Sequence, residues 1–390
     1  MDRRHALKCF AALPLAASAA RLYATPAADV RLLVVFLRGG YDAANVLVPV
    51  SSRYYYETRP TIAVAAPGSS PDAALPLDSS WGLHPALRHT LLPFYQRGEL
   101  AFIPFAGTED LTRSHFETQD SIELGQPLGS RRDYRSGFLS RLASVLATPR
   151  PIAFTSLSPV AFRGSTEVAN IVLKTVARPG VDARQTGIIA SMYERSPLRT
   201  AVDEGLSVRD AVMREMEAAS RNAVSAQGFE LEARRIALLM RERFNLGFVD
   251  VGGWDTHVGE GGATGQLATR LDQLGRGLAA YAEAMGEAWR STAVVVISEF
   301  GRTFRENGNR GTDHGHGTVY WVLGGAVRGG RVAGEQHDVR RETLFQDRDY
   351  PVLNEYRRVL GGLFARLYGL NGEQVARVFA GAQPLDFGLA

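Results

Sequence analysis

Apolar residues recur along the chain in short unbroken runs: Leu32–Leu37, Leu100–Phe105, Phe248–Val251, Ala293–Ile297 and Val319–Leu323. Runs of this length with no polar alternation suit strands covered on both faces. Between the third and fourth runs the period changes. Leu267, Leu271, Leu274, Leu278, Tyr281, Met285 and Trp289 return every three or four residues, one stripe of a long amphipathic helix. Val352, Tyr356, Val359, Leu363 and Leu367 mark a second such helix near the C-terminus. Alternating strand and helix patterns predict an α/β fold, a mostly parallel sheet with helices on both faces. The rhythm breaks between residues 125 and 245, where Pro149, Pro151, Pro159 and Pro179 punctuate an Arg- and Ser-rich stretch. That stretch ends in a helical pattern over Glu230–Phe244 and reads as an insertion or cap subdomain. No internal repeat interrupts the chain.

Each strong strand is followed by a polar cluster. Arg38-Gly39-Gly40-Tyr41-Asp42 follows the first, and a loop to Ser114-His115-Phe116 follows the second. Trp254-Asp255-Thr256-His257 follows the third and Ser298-Glu299-Phe300-Gly301-Arg302 the fourth. Thr312-Asp313-His314-Gly315-His316 precedes the last. Ligands of open parallel sheets bind outside the carboxyl ends of the strands, where four of these clusters fall and over which the fifth could fold. Asp, Glu and His without Cys form an oxygen–nitrogen ligand set: zinc or manganese first, with iron, calcium or magnesium as alternatives. Asp255-x-His257 and His314-x-His316 place two ligands on one side of an extended segment, because side-chain direction there repeats every two residues.

Taken singly, each motif has a plainer reading. Asp42 fits a turn, Ser114 an N-cap before the helical HFETQDSIEL, and Glu299 with Arg302 a structural ion pair. Their coincidence at one sheet edge carries the metal-site expectation.

The formal charge of +3 invites a nucleic-acid reading. Residues 1–28, however, hold Arg3, Arg4, Lys8 and Arg21 against Asp2 alone, and without them basic and acidic residues balance. A nucleic-acid partner thereby loses its support. The same stretch has a paired-arginine start, an apolar run Cys9–Ala20 and small residues at Ala19, Ala24 and Ala28. The run is too short to span a bilayer and predicts an export signal of the twin-arginine type, read by that translocation machinery. The mature protein is then periplasmic or secreted and has no membrane span. Cys9 is the single cysteine, so removal of the signal excludes disulfides and thiolate chemistry.

Together RGGYD, RSHF, WDTH, SEFGRT and TDHGHGT, with the late Arg348-Asp349-Tyr350-Pro351, resemble the exported bacterial proteins of domain of unknown function 1501, from about Leu32 to Leu370. That family is similar to the alkaline phosphatase and sulfatase superfamily. The resemblance implies one domain over residues 29–390, a three-layer α/β/α sandwich with metal at the carboxyl edge of its sheet. It implies Asp42, Asp255, His257, Glu299 and His314 or His316, or both, as metal ligands, and Ser114 as nucleophile at a helix N-terminus. Phe300 stands where the superfamily has a histidine.

The expected activity is metal-dependent hydrolysis of a phosphate or related ester, small or polymer-borne. Arg38 and Arg302 would stabilise oxyanion charge, and Asp313 would orient a histidine. A sulfatase reading lacks the Cys/Ser-x-Pro-x-Arg stretch, and an α/β-hydrolase reading lacks Gly-x-Ser-x-Gly. The competing class is a non-catalytic exported binding protein that keeps the fold.

Overall fold

The computed structural model describes residues 30–173, 183–200, 202, 203, 206 and 228–390. The expected export signal lies outside them, as does part of the segment between residues 125 and 245. All five apolar runs are strands of one nine-stranded sheet. Its order is β11 (Arg331–Val332), β5 (Leu100–Gly107), β10 (Thr318–Leu323), β9 (Thr292–Ser298), β1 (Arg31–Arg38), β8 (Leu246–Gly252), β6 (Pro151–Phe154) and β7 (Ala169–Asn170), with β12 (Asn354–Glu355) beside β5. Within it β10 alone runs antiparallel to its neighbours. A small antiparallel sheet joins β2 (Leu47–Val48), β4 (Gly82–Leu83) and β3 (Leu75–Pro76).

The central strand β1 is buried on both faces, which is why its sequence shows no polar alternation. Leu33, Val35 and Leu37 face a core shared with helices Phe229–Glu242 and Gln266–Met285 and with the small sheet. Leu32, Val34 and Phe36 face the opposite core, with helices Phe138–Val145, Tyr356–Tyr368 and Gly372–Val378. The result is the expected three-layer α/β/α sandwich.

The C-terminal helix starts at Tyr356 rather than at Val352. Pro351 and the extended pair β12 precede it, and the Glu355 side chain caps it by accepting from the Arg358 amide. The segment between residues 125 and 245 contributes β6 and β7 to the main sheet, and its helix Phe229–Glu242 packs on Gln266–Met285. Those described parts belong to the sandwich itself.

Candidate metal centre

Three strand ends and one strand start meet at the same edge. β1, β8 and β9 point their carboxyl ends at it, while antiparallel β10 begins there, which brings the preceding Thr312–Gly317 loop alongside. The turn after β1 must be bare of side chains. A Cβ on Gly39 would lie 2.8 Å from the Asp255 amide nitrogen, and one on Gly40 would lie 2.5 Å from the Phe300 ring. Both glycines have positive φ (126° and 62°), so the Arg-Gly-Gly stretch lets the loops after β8 and β9 close against β1. Trp254, buried, anchors the first of those loops through its Nε1–H, which donates to the Val251 carbonyl.

Asp255, His257, His314 and Arg302 converge, as expected, and His115 joins them. His257 Nε2 lies 3.0 Å from Asp255 Oδ1 and 3.1 Å from His314 Nε2. His314 Nε2 is 3.3 Å from Asp255 Oδ1, and His115 Nε2 is 3.6 Å from Asp255 Oδ2. The nearest ligand atoms of His115, Asp255 and His314 all fall within 4.8 Å of one another.

The other ring nitrogen of each histidine fixes its tautomer. His115 Nδ1 is 2.8 Å from Glu299 Oε1, His257 Nδ1 is 3.2 Å from Asp313 Oδ1, and His314 Nδ1 is 3.0 Å from the Arg113 carbonyl. These partners only accept, so in its neutral form each ring carries the proton on Nδ1 and presents a bare Nε2 to the cluster. Three lone pairs and a carboxylate facing one another repel unless a cation sits among them. His115 Nε2 is buried with no hydrogen-bond partner among the described residues. The second-partner pattern is the one metal-binding histidines use. A tetrahedral ion at bond lengths of about 2.0–2.1 Å spaces its ligands about 3.3 Å apart, close to the separations found here. The donor set therefore fits a divalent cation.

Electrostatics agree. Burial pushes the Asp255 carboxyl up, but the Arg302 guanidinium and the three histidines outweigh it and hold it below the usual range. Glu299 is fully buried, and its carboxylate is likewise held low, because donors from His115, Gln119 and Gly39 overcome desolvation. The Glu299 hydrogen bond is the main cause of the upward shift at His115, whereas burial lowers His314.

Four sequence expectations change. Glu299 does not face the cluster; it stands behind His115, accepting from Gly39 N, His115 Nδ1 and Gln119 Nε2, each at 2.8 Å, and from Ser298 Oγ at 2.9 Å. Asp42 is turned away into a buried bidentate pair with Arg59. His316 also stays out: the chain bends there rather than staying extended, and the ring packs on Phe345 at 5.0 Å between centroids. Arg38 is spent on Asp250, Gln119 and Glu123, at 3.0, 2.8 and 2.8 Å, so it braces Gln119 instead of meeting an oxyanion. Asp313 orients His257, as expected.

Ser114 is the half-buried N-cap of helix His115–Leu124, and its side chain makes no capping hydrogen bond. Arg302 is buried, with Nη2 2.8 Å from Asp255 Oδ1 but misaligned for a hydrogen bond, and none of its three guanidinium nitrogens has such a bond among the described residues. The Phe300 ring packs 4.9 Å from His115 and 5.0 Å from His314, walling the pair.

The sequence motifs do not single out His115, because the adjacent Ser114 already fits an N-cap. A signal was present. His115 and Gln119 are four apart on one helix, hence on one face, and both reach Glu299. Arg113 has a positive φ of 52°, which nothing in the sequence foretold; its carbonyl is the one that holds His314.

An α/β/α sandwich with a three-histidine, one-carboxylate cluster at the carboxyl edge of its sheet is the class this chain defines. It belongs to the family described as Protein of unknown function (DUF1501), whose sequence model matches residues 29–379. No curated protein matches it. Among solved structures it is similar to a protein in the alkaline phosphatase superfamily from Vibrio parahaemolyticus, at 11% identity and a TM-score of 0.39, covering 79% of this chain and 64% of that one. The chain thus spans under two thirds of that protein's length. It is also similar to Ps i-CgsB in complex with k-i-k-neocarrahexaose, at 11% identity and a TM-score of 0.35, covering 91% of this chain and 75% of that one.

Proposed function

We propose that the chain is an exported hydrolase of phosphate or related esters, working with one divalent cation held by His115, Asp255, His257 and His314. The observation that carries this reading is the set of three histidine Nε2 atoms gathered on one carboxylate, beside a buried Arg302 that is ion-paired with the same carboxylate and makes no guanidinium hydrogen bond among the described residues. When bound, the cation supplies Lewis acidity toward an ester oxygen. Arg302 supplies fixed positive charge where an anionic ester and its transition state carry negative charge. Ser114 offers its hydroxyl at a helix N-terminus whose amides its side chain leaves uncapped, a place that favours an anion. Residues 1–28 supply the export address by their sequence pattern.

A second reading has its own support. Four protein ligands fill a tetrahedron, as in sites that hold metal without catalysis, and no base is hydrogen-bonded to Ser114 Oγ among the described residues. On that reading the protein binds an anionic ligand and does not turn it over. Elemental analysis of the purified mature chain, with aryl phosphate, phosphodiester and sulfate ester assays, separates the two. The parent should hold about one equivalent of metal and lose both metal and turnover on His257→Ala. Metal-free protein sinks both readings, and metal without turnover leaves binding. Turnover untouched by Ser114→Ala assigns the attack to water.

A further inference from the structure

Beneath the cluster lies a second group of buried polar side chains that the proposed chemistry does not use. Glu260 is completely buried, three residues after His257, and its Oε2 accepts from two threonine hydroxyls: Thr256 Oγ1 at 3.0 Å and Thr312 Oγ1 at 2.7 Å. Thr256 sits between Asp255 and His257, and Thr312 stands two residues before His314. One oxygen therefore ties together the two loops that carry three of the four cluster residues. The main chain runs the same way: the Thr312 amide donates to the Thr256 carbonyl at 3.1 Å, and the Glu260 amide to the Arg310 carbonyl at 2.9 Å.

The remaining oxygen of Glu260 is informative. Oε1 is buried and has no donor among the described residues. The Asp42 carboxylate, itself paired with Arg59, acts on it through its charge. Burial, then the Asp42 charge, push the Glu260 carboxyl well above its usual range. The arrangement reads outward as Arg59, Asp42, Glu260, and then a threonine beside the ligands of each loop.

We infer that Glu260 is the positioning residue of the metal centre, a clamp that sets the separation of the Asp255–His257 and His314 loops. The inference rests on the metal reading above. A structural core acid would tolerate loss of the two hydroxyl contacts without any effect on the cluster. A clamp would not, because His257 and His314 stand 3.1 Å apart only while the loops are drawn together.

The test uses the mature full chain and zinc as the probe, titrated against a chromophoric chelator, with urea midpoints measured on the metal-free forms. Glutamine keeps the accepting oxygen, its carbonyl taking the two threonine hydroxyls. Glu260→Gln should therefore bind zinc within about threefold of the parent, while Glu260→Ala should bind on the order of 10–100-fold more weakly. Thr312→Val, which removes one hydroxyl at nearly constant shape, should weaken zinc about three- to tenfold with little change in midpoint, and it keeps the question answerable should Glu260→Ala fail to fold. Parent-like zinc binding in Thr312→Val and in any folded Glu260→Ala overturns the clamp while leaving the metal centre standing. Equal weakening in Glu260→Gln and Glu260→Ala overturns the assignment of the clamp to the oxygen that accepts from the two threonines. A parent that binds no zinc overturns the metal reading and the clamp together.

Discussion

Replacing Glu299 by glutamine asks whether this residue binds the metal, as its sequence position suggests, or orients a histidine that does. In the structure Oε1 collects three donors and Oε2 faces Ser298 Oγ, whose one proton is shared with the Leu37 carbonyl at 2.6 Å. A glutamine carbonyl can take the three-donor position while its amide donates to Ser298 Oγ, so the hydrogen-bond count survives. What disappears is the negative charge behind His115, and with it part of that imidazole's basicity. Losing such an outer partner typically weakens metal binding 10–100-fold; with the hydrogen bonds kept, the lower end applies, about tenfold or about 1.4 kcal/mol. Global stability should change by less than about 1 kcal/mol, since no buried donor is orphaned. Cobalt substitution gives the readout: the visible d–d spectrum reports the directly bound atoms, and competition with a chelator gives the affinity. The expected result is an unchanged spectrum with about tenfold weaker binding. A shifted spectrum with a loss beyond about 1,000-fold would show that Glu299 is itself a ligand and not the outer partner of His115. Unchanged affinity would remove His115 from the centre.

Three further outcomes are expected. Arg302→Met should lower ester turnover by about 10²–10³-fold while zinc stays bound, as loss of a preorganised charge at a transition state does; parent-like turnover would leave the guanidinium without a catalytic part. Asp42→Ala strips the buried Arg59 of its counter-charge and should cost about 3 kcal/mol in urea denaturation. That is the low end for a broken buried pair, because Arg59 keeps the Phe304 and Thr303 carbonyls at 2.6 and 3.0 Å and Asn45 Oδ1 at 3.0 Å; a change under about 1 kcal/mol would contradict the pairing. His84, fully buried, accepts the Ala86 amide on Nδ1 and donates to the Gly262 carbonyl, and burial lowers its affinity for a proton. A histidine depressed in the fold contributes stability that is complete above the unfolded value of about 6.5 and is lost as pH falls toward the folded value. The parent's urea midpoint should therefore drop more steeply below about pH 6.5 than that of His84→Asn; parallel curves would dismiss the effect.

The strands and their order of appearance could be read from the chain because a strand buried on both faces leaves an unbroken apolar run. Its direction leaves no such trace. Val319–Leu323 reads the same for a parallel or an antiparallel strand, so the run alone does not dictate that the His314 loop lies beside the site. Asp255, His257 and His314 were legible as members of one cluster, since each adjoins a strand end and carries a metal-binding group. Asp42 was misread because its partner, Arg59, sits on a separate short segment after the first strand, and nothing local to Asp42 reveals that a cation is buried beside it. Glu299 was placed at the right spot but one layer too close, a distance that only tertiary packing sets. His316 failed because the alternation rule needs an extended chain, and the chain bends there.

The reversed strand β10 has a consequence for how this fold can vary. Since β9 and β10 are antiparallel neighbours, the residues that leave one and enter the other, Ser298 and Thr318, lie at the same edge. The intervening stretch holds Arg302, Asp313 and His314, so a buried cation, a histidine's carboxylate partner and a cluster histidine travel as one excursion. Such a stretch is a cassette: it can lengthen, shorten or be exchanged between relatives without moving a strand of the sheet, and each exchange would retune the mouth of the site in a single event.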